Sequence, residues 1–118
     1  VSIPAAAPPS NQDYEQMGVH AEQAARLLKS LAHPARLRVL CRLVEGEASV
    51  GELQALGNLS MSALSQHLAV LREQALVLTR RDAQTIFYSL AESPALGVMQ
   101  ALHAAYCGAH ASADRPHR

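Results

Sequence analysis

Tryptophan is missing from the 118 residues of this chain, phenylalanine occurs once and tyrosine three times. A β-sandwich or barrel draws its strands from aromatic and β-branched residues, so this scarcity argues against both. Neither sign of charge is in excess: ten Lys and Arg offset ten Asp and Glu, for a net charge of zero. A basic coat over the whole surface is thereby excluded, whereas a local basic patch is not. Lysine is nearly absent; nine of the ten cations are Arg, the better fork for phosphate. No apolar run reaches the ~18 residues that a membrane span needs. The first residues carry neither the basic stretch nor the apolar stretch of a secretory signal, so the expected compartment is the cytoplasm. Only two cysteines are present. In a reducing compartment they argue against a structural disulfide and leave a sensing pair open.

Ala and Leu are plentiful, at 22 and 17 residues, in a chain that is 49% hydrophobic and 17% charged. General disorder is ruled out, and packed helices are favoured. The length suits one domain, small enough that a second chain could complete its core.

Residues 1–10, VSIPAAAPPS, are rich in Pro and Ala without periodicity and read as a disordered tail. Residues 111–118 read as a second tail, which leaves one domain over 11–110. Tyr14, Met17, Ala21, Ala24, Leu28 and Leu31 recur at three and four and predict a first helix over about 12–31. Pro34, after His33, opens a second helix that carries Leu37, Leu40, Cys41 and Val44 on one face and stops at Gly46. Ser49 caps a short third helix with Val50, Leu53 and Leu56, closed by Gly57. Ser60 or Ser62 opens a fourth, whose inward residues are Leu64, Leu68 and Leu71. Beyond Leu76 the period becomes strand-like: residues 77–81 and 85–90 flank Asp82-Ala83-Gln84 as a hairpin. Ser93-Pro94 then caps a last helix to about residue 108, with Leu96, Met99, Leu102 and Tyr106 apolar. The order α-α-α-α-β-β-α is mainly α with a β-hairpin: a helix-turn-helix followed by a wing.

On the fourth helix Ser62, Ser65, Gln66 and Ala69 fall opposite the leucine stripe. Gln can pair bidentately with adenine, and Ser suits base edges or phosphates, so this face fits double-stranded DNA. His67 stands at the edge of the stripe, where it serves the scaffold as readily as DNA; a solvated polar face is the plain alternative for the whole strip. Arg80 and Arg81 flank the hairpin tip, within reach of a minor groove or backbone, although exposed Arg also protects a strand edge. Residues 26–42 hold Arg26, Lys29, Arg36, Arg38 and Arg42 with no acid. They either touch phosphates or balance the acids on either side.

The ordered set LAHPARLRVLCRL, GELQAL, LSMSALSQHLAVLREQALV and RRDAQTIFYSL, spread over about residues 12–108, resembles the ArsR-type winged-helix repressors. The resemblance implies a homodimer paired through the first and last helices, with the fourth helix in the major groove. A Gly usual in that family is replaced here by Ala75, and the usual wing-turn Gly by Ala83. Alanine disfavours φ > 0, which counts against a tight type I′ turn.

Three readings of the sensing chemistry stand side by side. The third helix has Ser49 and Gly51 where metal-binding relatives place thiolates, so that site is absent. His103, Cys107 and His110 lie at i, i+4 and i+7, a spacing for a soft metal, but with no acid in that helix. Cys41 alone could serve a sulfur-transferring enzyme, although no Cys-x-x-Cys or Ser/His/Asp arrangement accompanies it. Helix-interior cysteines are otherwise commonly small core residues. The phrases around Cys41 (RVLCRLV) and Cys107 (MQALHAAYC) resemble the sulfide- and persulfide-responsive repressors of the SqrR/BigR type. That resemblance implies that Cys41 and Cys107 are a sensing dithiol controlling sulfide-oxidation genes, with no cofactor. Nearby Arg38, Arg42, His103 or His110 would lower a thiol pKa, and burial beside Leu37 and Leu40 would raise it.

Overall fold

The computed structural model describes residues 11–57 and 59–107. The two expected tails and residues 108–110 lie outside them. In chain order the elements are α1 (Asn11–Leu31), α2 (Pro34–Val44), β1 (Ala48–Ser49), α3 (Val50–Gln54), α4 (Met61–Glu73), β2 (Val77–Asp82), β3 (Thr85–Leu90) and α5 (Pro94–Cys107). This is the winged helix-turn-helix expected, with one addition. The short β1 pairs antiparallel with β3, Ala48 opposite Tyr88, and turns the hairpin into a three-stranded sheet ordered β1-β3-β2. A two-residue strand has no period to read in a sequence.

Local chemistry sets the boundaries. His33 caps α2, its Nδ1 accepting the Ala35 N–H at 3.0 Å, and Pro34 follows where no helical N–H is needed. Gly46 closes that helix at φ +140°, a backbone geometry that side chains rarely tolerate. Ser49 and Glu52 form a reciprocal capping box on α3. Ser60, the first of the two candidates, caps α4 by accepting the Ala63 N–H at 3.0 Å.

The end of α4 is less ordinary. Ala75 takes a φ of 58°, and the N–H groups of Ala75 and Leu76 bond back to the carbonyls of Arg72 and Leu71 at 2.9 Å each. That is a Schellman close with alanine in the left-handed position usually given to glycine. Ala83 repeats the geometry at the wing tip, also at 58°. A tight two-residue turn therefore forms despite the alanine, Asp82 pairing directly with Thr85. Gln84 does not share the positive φ, so the turn is not type I′.

The core gathers one face of each element. Leu40, Leu64 and Leu71 are wholly buried, with Leu53, Leu68, Leu76, Tyr88 and Met99 around them. Truncating any of these leucines to alanine costs about 2–5 kcal/mol. Arg72 donates to the Tyr88 hydroxyl at 3.3 Å and ties α4 to the sheet. Leu31 joins this core from the stripe on α1, whereas Tyr14, Met17 and Leu28 are each more than half exposed, as is Tyr106 of α5.

Candidate functional site

The leucine stripe of α4 faces the core, and this forces Ser62, Ser65 and Gln66 outward, all three exposed. The expected reading strip is thus presented as a row of short hydroxyls and one amide near a capped helix start.

His67 is half-buried and engaged elsewhere. Its ring packs on His33 with centroids 4.2 Å apart, and its Nδ1 lies 3.3 Å from Nη1 of Arg36. Arginine can only donate, so Nδ1 accepts and the ring proton sits on Nε2. Arg36 in turn donates through Nε to the Ser30 carbonyl at 2.6 Å, and through Nη2 to that of Lys29. Burial first, then the charges of His33 and Arg36, hold His67 below the ordinary imidazole pKa. Of the two roles left open for His67, the structure shows the scaffold contact.

In the wing the two arginines part company. Arg80 makes a two-point ion pair with Glu47, 2.8 Å at each oxygen, and its guanidinium lies over Phe87 at 4.5 Å. Glu47 is held below the usual carboxylate range by that arginine. Arg81 is exposed and, among the described residues, has no ion-pair partner. Glu47 was not singled out from the sequence; it lies 33 positions from Arg80, and no local spacing connects them.

Three of the five cations of residues 26–42 are engaged within the protein. Arg36 and Arg38 are both turned to backbone carbonyls, Arg38 donating to that of Leu56. Arg42 donates to the Gly46 carbonyl at 3.0 Å.

The two cysteines are brought together. Cys41 on α2 is half-buried and Cys107 at the end of α5 is exposed, both as free thiols. They line one cavity of about 240 Å³ with Leu37, Met99, Leu102 and Tyr106 as its apolar wall. Burial chiefly pushes the Cys41 thiol up, helped by the neighbouring Cys107 and by Glu45. Burial therefore prevails over the cations expected to lower it. His103 borders the same cavity; His110 lies outside the described residues, among which no three metal-ligating side chains converge.

Residues 33–78 match the family model described as "Bacterial regulatory protein, arsR family". The "Biofilm growth-associated repressor" of Agrobacterium fabrum (strain C58 / ATCC 33970) is 52% identical over 91 residues, covering 77% of this chain and 78% of that protein. The "Transcriptional activator HlyU" of Vibrio cholerae serotype O1 is 46% identical over 96 residues, covering 81% and 89%. Among solved structures, the transcriptional repressor BigR from Xylella fastidiosa aligns with a TM-score of 0.73 at 47% identity, over 80% of this chain and 96% of that one. These relatives are transcription regulators, not enzymes.

Proposed function

The chain belongs to the ArsR family of bacterial regulatory proteins, and on that premise we propose that it is a homodimeric, cytoplasmic repressor that releases operator DNA when Cys41 and Cys107 become joined by a polysulfide. Ser62, Ser65 and Gln66 read the major groove, and Arg81 reaches the flanking backbone or minor groove. His67 and Arg80, both engaged within the protein, brace the recognition helix and the wing. The exposed apolar residues of α1 and α5 supply the dimer contact, and the twofold pair reads two half-sites.

One observation carries the sensing role: the two thiols line one cavity with apolar walls between α2 and α5. Each inserted sulfur adds about 2 Å of bond and a further soft torsion, so a tetrasulfide closes over a wider thiol separation with less strain than a disulfide. The reaction balances as two cysteine thiols plus three persulfides RSSH giving Cys–S–S–S–S–Cys, three RSH and one H2S. Two persulfides supply sulfur and leave as RSH; the third is the oxidant and leaves as RSH and H2S. Sulfide-oxidation genes are the coherent target for such a signal.

Intact mass measurement paired with operator binding tests this. Persulfide treatment should add two sulfurs less two hydrogens per chain and release the DNA from a dimer. Equal release by peroxide through a plain Cys41–Cys107 disulfide, or release by zinc without any mass gain, overturns it.

A further inference from the structure

We propose that Arg38 is the positioning residue that carries the state of the Cys41–Cys107 pair to the turn before the recognition helix. The proposal rests on the dithiol reading given above.

Arg38 lies one turn before Cys41 on α2 and borders the cavity that holds both thiols. Its guanidinium reaches the opposite way. Nη2 donates to the carbonyl of Leu56, where the turn that extends α3 ends. In that turn the Leu56 and Gly57 N–H groups bond back to Leu53 and Gln54 at 3.2 and 3.4 Å. The final carbonyl of such a turn has no helical N–H to meet it, and Arg38 fills the role. Leu56 and Cys41 also share a second groove on the far side of Arg38.

The same guanidinium also lies against Gly57. Its φ is not in the left-handed region, so the backbone does not require glycine there. A Cβ at that position would stand 2.8 Å from Nη1 of Arg38 and 3.3 Å from Cζ. A side chain at Gly57 would displace the guanidinium from this position. The two residues are set between the thiol cavity and the first residues of α4.

This arrangement has a consequence for switching. A bridge between Cys41 and Cys107 constrains the same turn of α2 from which Arg38 extends. A shift or rotation of that turn moves a rigid planar fork seated on the α3–α4 turn, and so re-aims α4. Without the fork, α2 can respond to the bridge while α4 stays where the core holds it.

The test uses the full chain in four forms: wild type, Arg38→Met, Gly57→Ala and the double variant, with Arg38→Lys as a milder change. For each, operator affinity is measured reduced and after persulfide treatment, and bridge formation is followed by intact mass. The ratio of the two affinities is the readout, because a merely structural defect lowers both alike. Arg38→Met should gain the bridge mass as wild type does, yet its affinity ratio should fall at least fivefold. Gly57→Ala should reproduce that loss, and the double variant should lose no more than either single one. Arg38→Lys, keeping charge but not the fork, should fall between.

A wild-type ratio in bridged Arg38→Met and Arg38→Lys overturns the proposal, as do losses that simply multiply in the double variant. Failure of the wild-type chain to form the bridge or to release DNA instead removes the dithiol reading, and the proposal falls with it.

Discussion

Glu47 and Arg80 lie 33 residues apart and meet in a two-point ion pair that fastens the base of β1 to the wing. The pair is open to water, so its influence is on the wing's charge and posture more than on stability. Glu47→Ala should release a cation toward DNA. The expected outcome is tighter, less selective binding and a salt dependence steeper by up to about one unit of slope. An unchanged slope in a salt titration would show that Arg80 stays against Phe87 without its partner.

Gln66→Ala should flatten the preference among operator variants, because an amide on the exposed strip of α4 reads base edges. Arg81→Ala should weaken all sequences alike and lower the salt slope by about one. Competition binding against operator variants at several salt concentrations separates the two. Equal loss on every sequence for Gln66→Ala contradicts base reading.

Ala75 and Ala83 both hold a φ of 58°. The left-handed region costs an L-residue roughly 1–2 kcal/mol, and glycine's extra freedom when unfolded gives part of that back. Ala75→Gly and Ala83→Gly should each stabilise the protein by up to about 1 kcal/mol, read as a melting temperature raised by a few degrees. A lower melting temperature in both would show that neither backbone is strained.

The lowered pKa of His67 makes stability pH-dependent with a definite sign. The unfolded imidazole titrates near its ordinary value of 6.5 and the folded one below it, so between those values the unfolded chain binds more protons. The contribution is fully present above pH 6.5 and is lost as pH falls through the folded pKa. Thermal melts should show this acid-side loss, and His67→Gln should reduce it. A melting profile over pH unchanged by His67→Gln would place the acid sensitivity on other groups.

Cys41→Ser and Cys107→Ser should each keep operator binding in the reduced state and lose persulfide-triggered release. Neither thiol lies on the strip formed by Ser62, Ser65 and Gln66, and a bridge needs both. Full release in either single variant contradicts the dithiol. Because the Cys41 thiol is pushed up, release by the wild type should quicken as pH rises and more thiolate forms.

Periodicity and capping made most of the fold legible. Leucines at three and four placed the helices, Ser49 placed the start of α3, Ser60 or Ser62 bracketed that of α4, and alternation placed the hairpin. The outward strip of α4 followed from the same count, since a helix that buries Leu64, Leu68 and Leu71 must expose Ser62, Ser65 and Gln66. By contrast β1 was too short to carry a pattern, and the stripe on α1 did not reveal that Tyr14, Met17 and Leu28 would stand exposed while Leu31 joins the core.

What the sequence determined by itself is whatever depends on neighbours within a turn or two: caps, stripes, the hairpin and the face of the reading helix. Tertiary structure decided the partners. Whether Arg80 is spent on Glu47, whether His67 meets Arg36, whether Cys41 meets Cys107 in an apolar cavity, and whether Arg38 meets Leu56 all depend on elements packed from distant parts of the chain. Those pairings are fixed by core geometry, because hydrogen bonds and ion pairs act over a few ångströms in space and are blind to separation along the sequence.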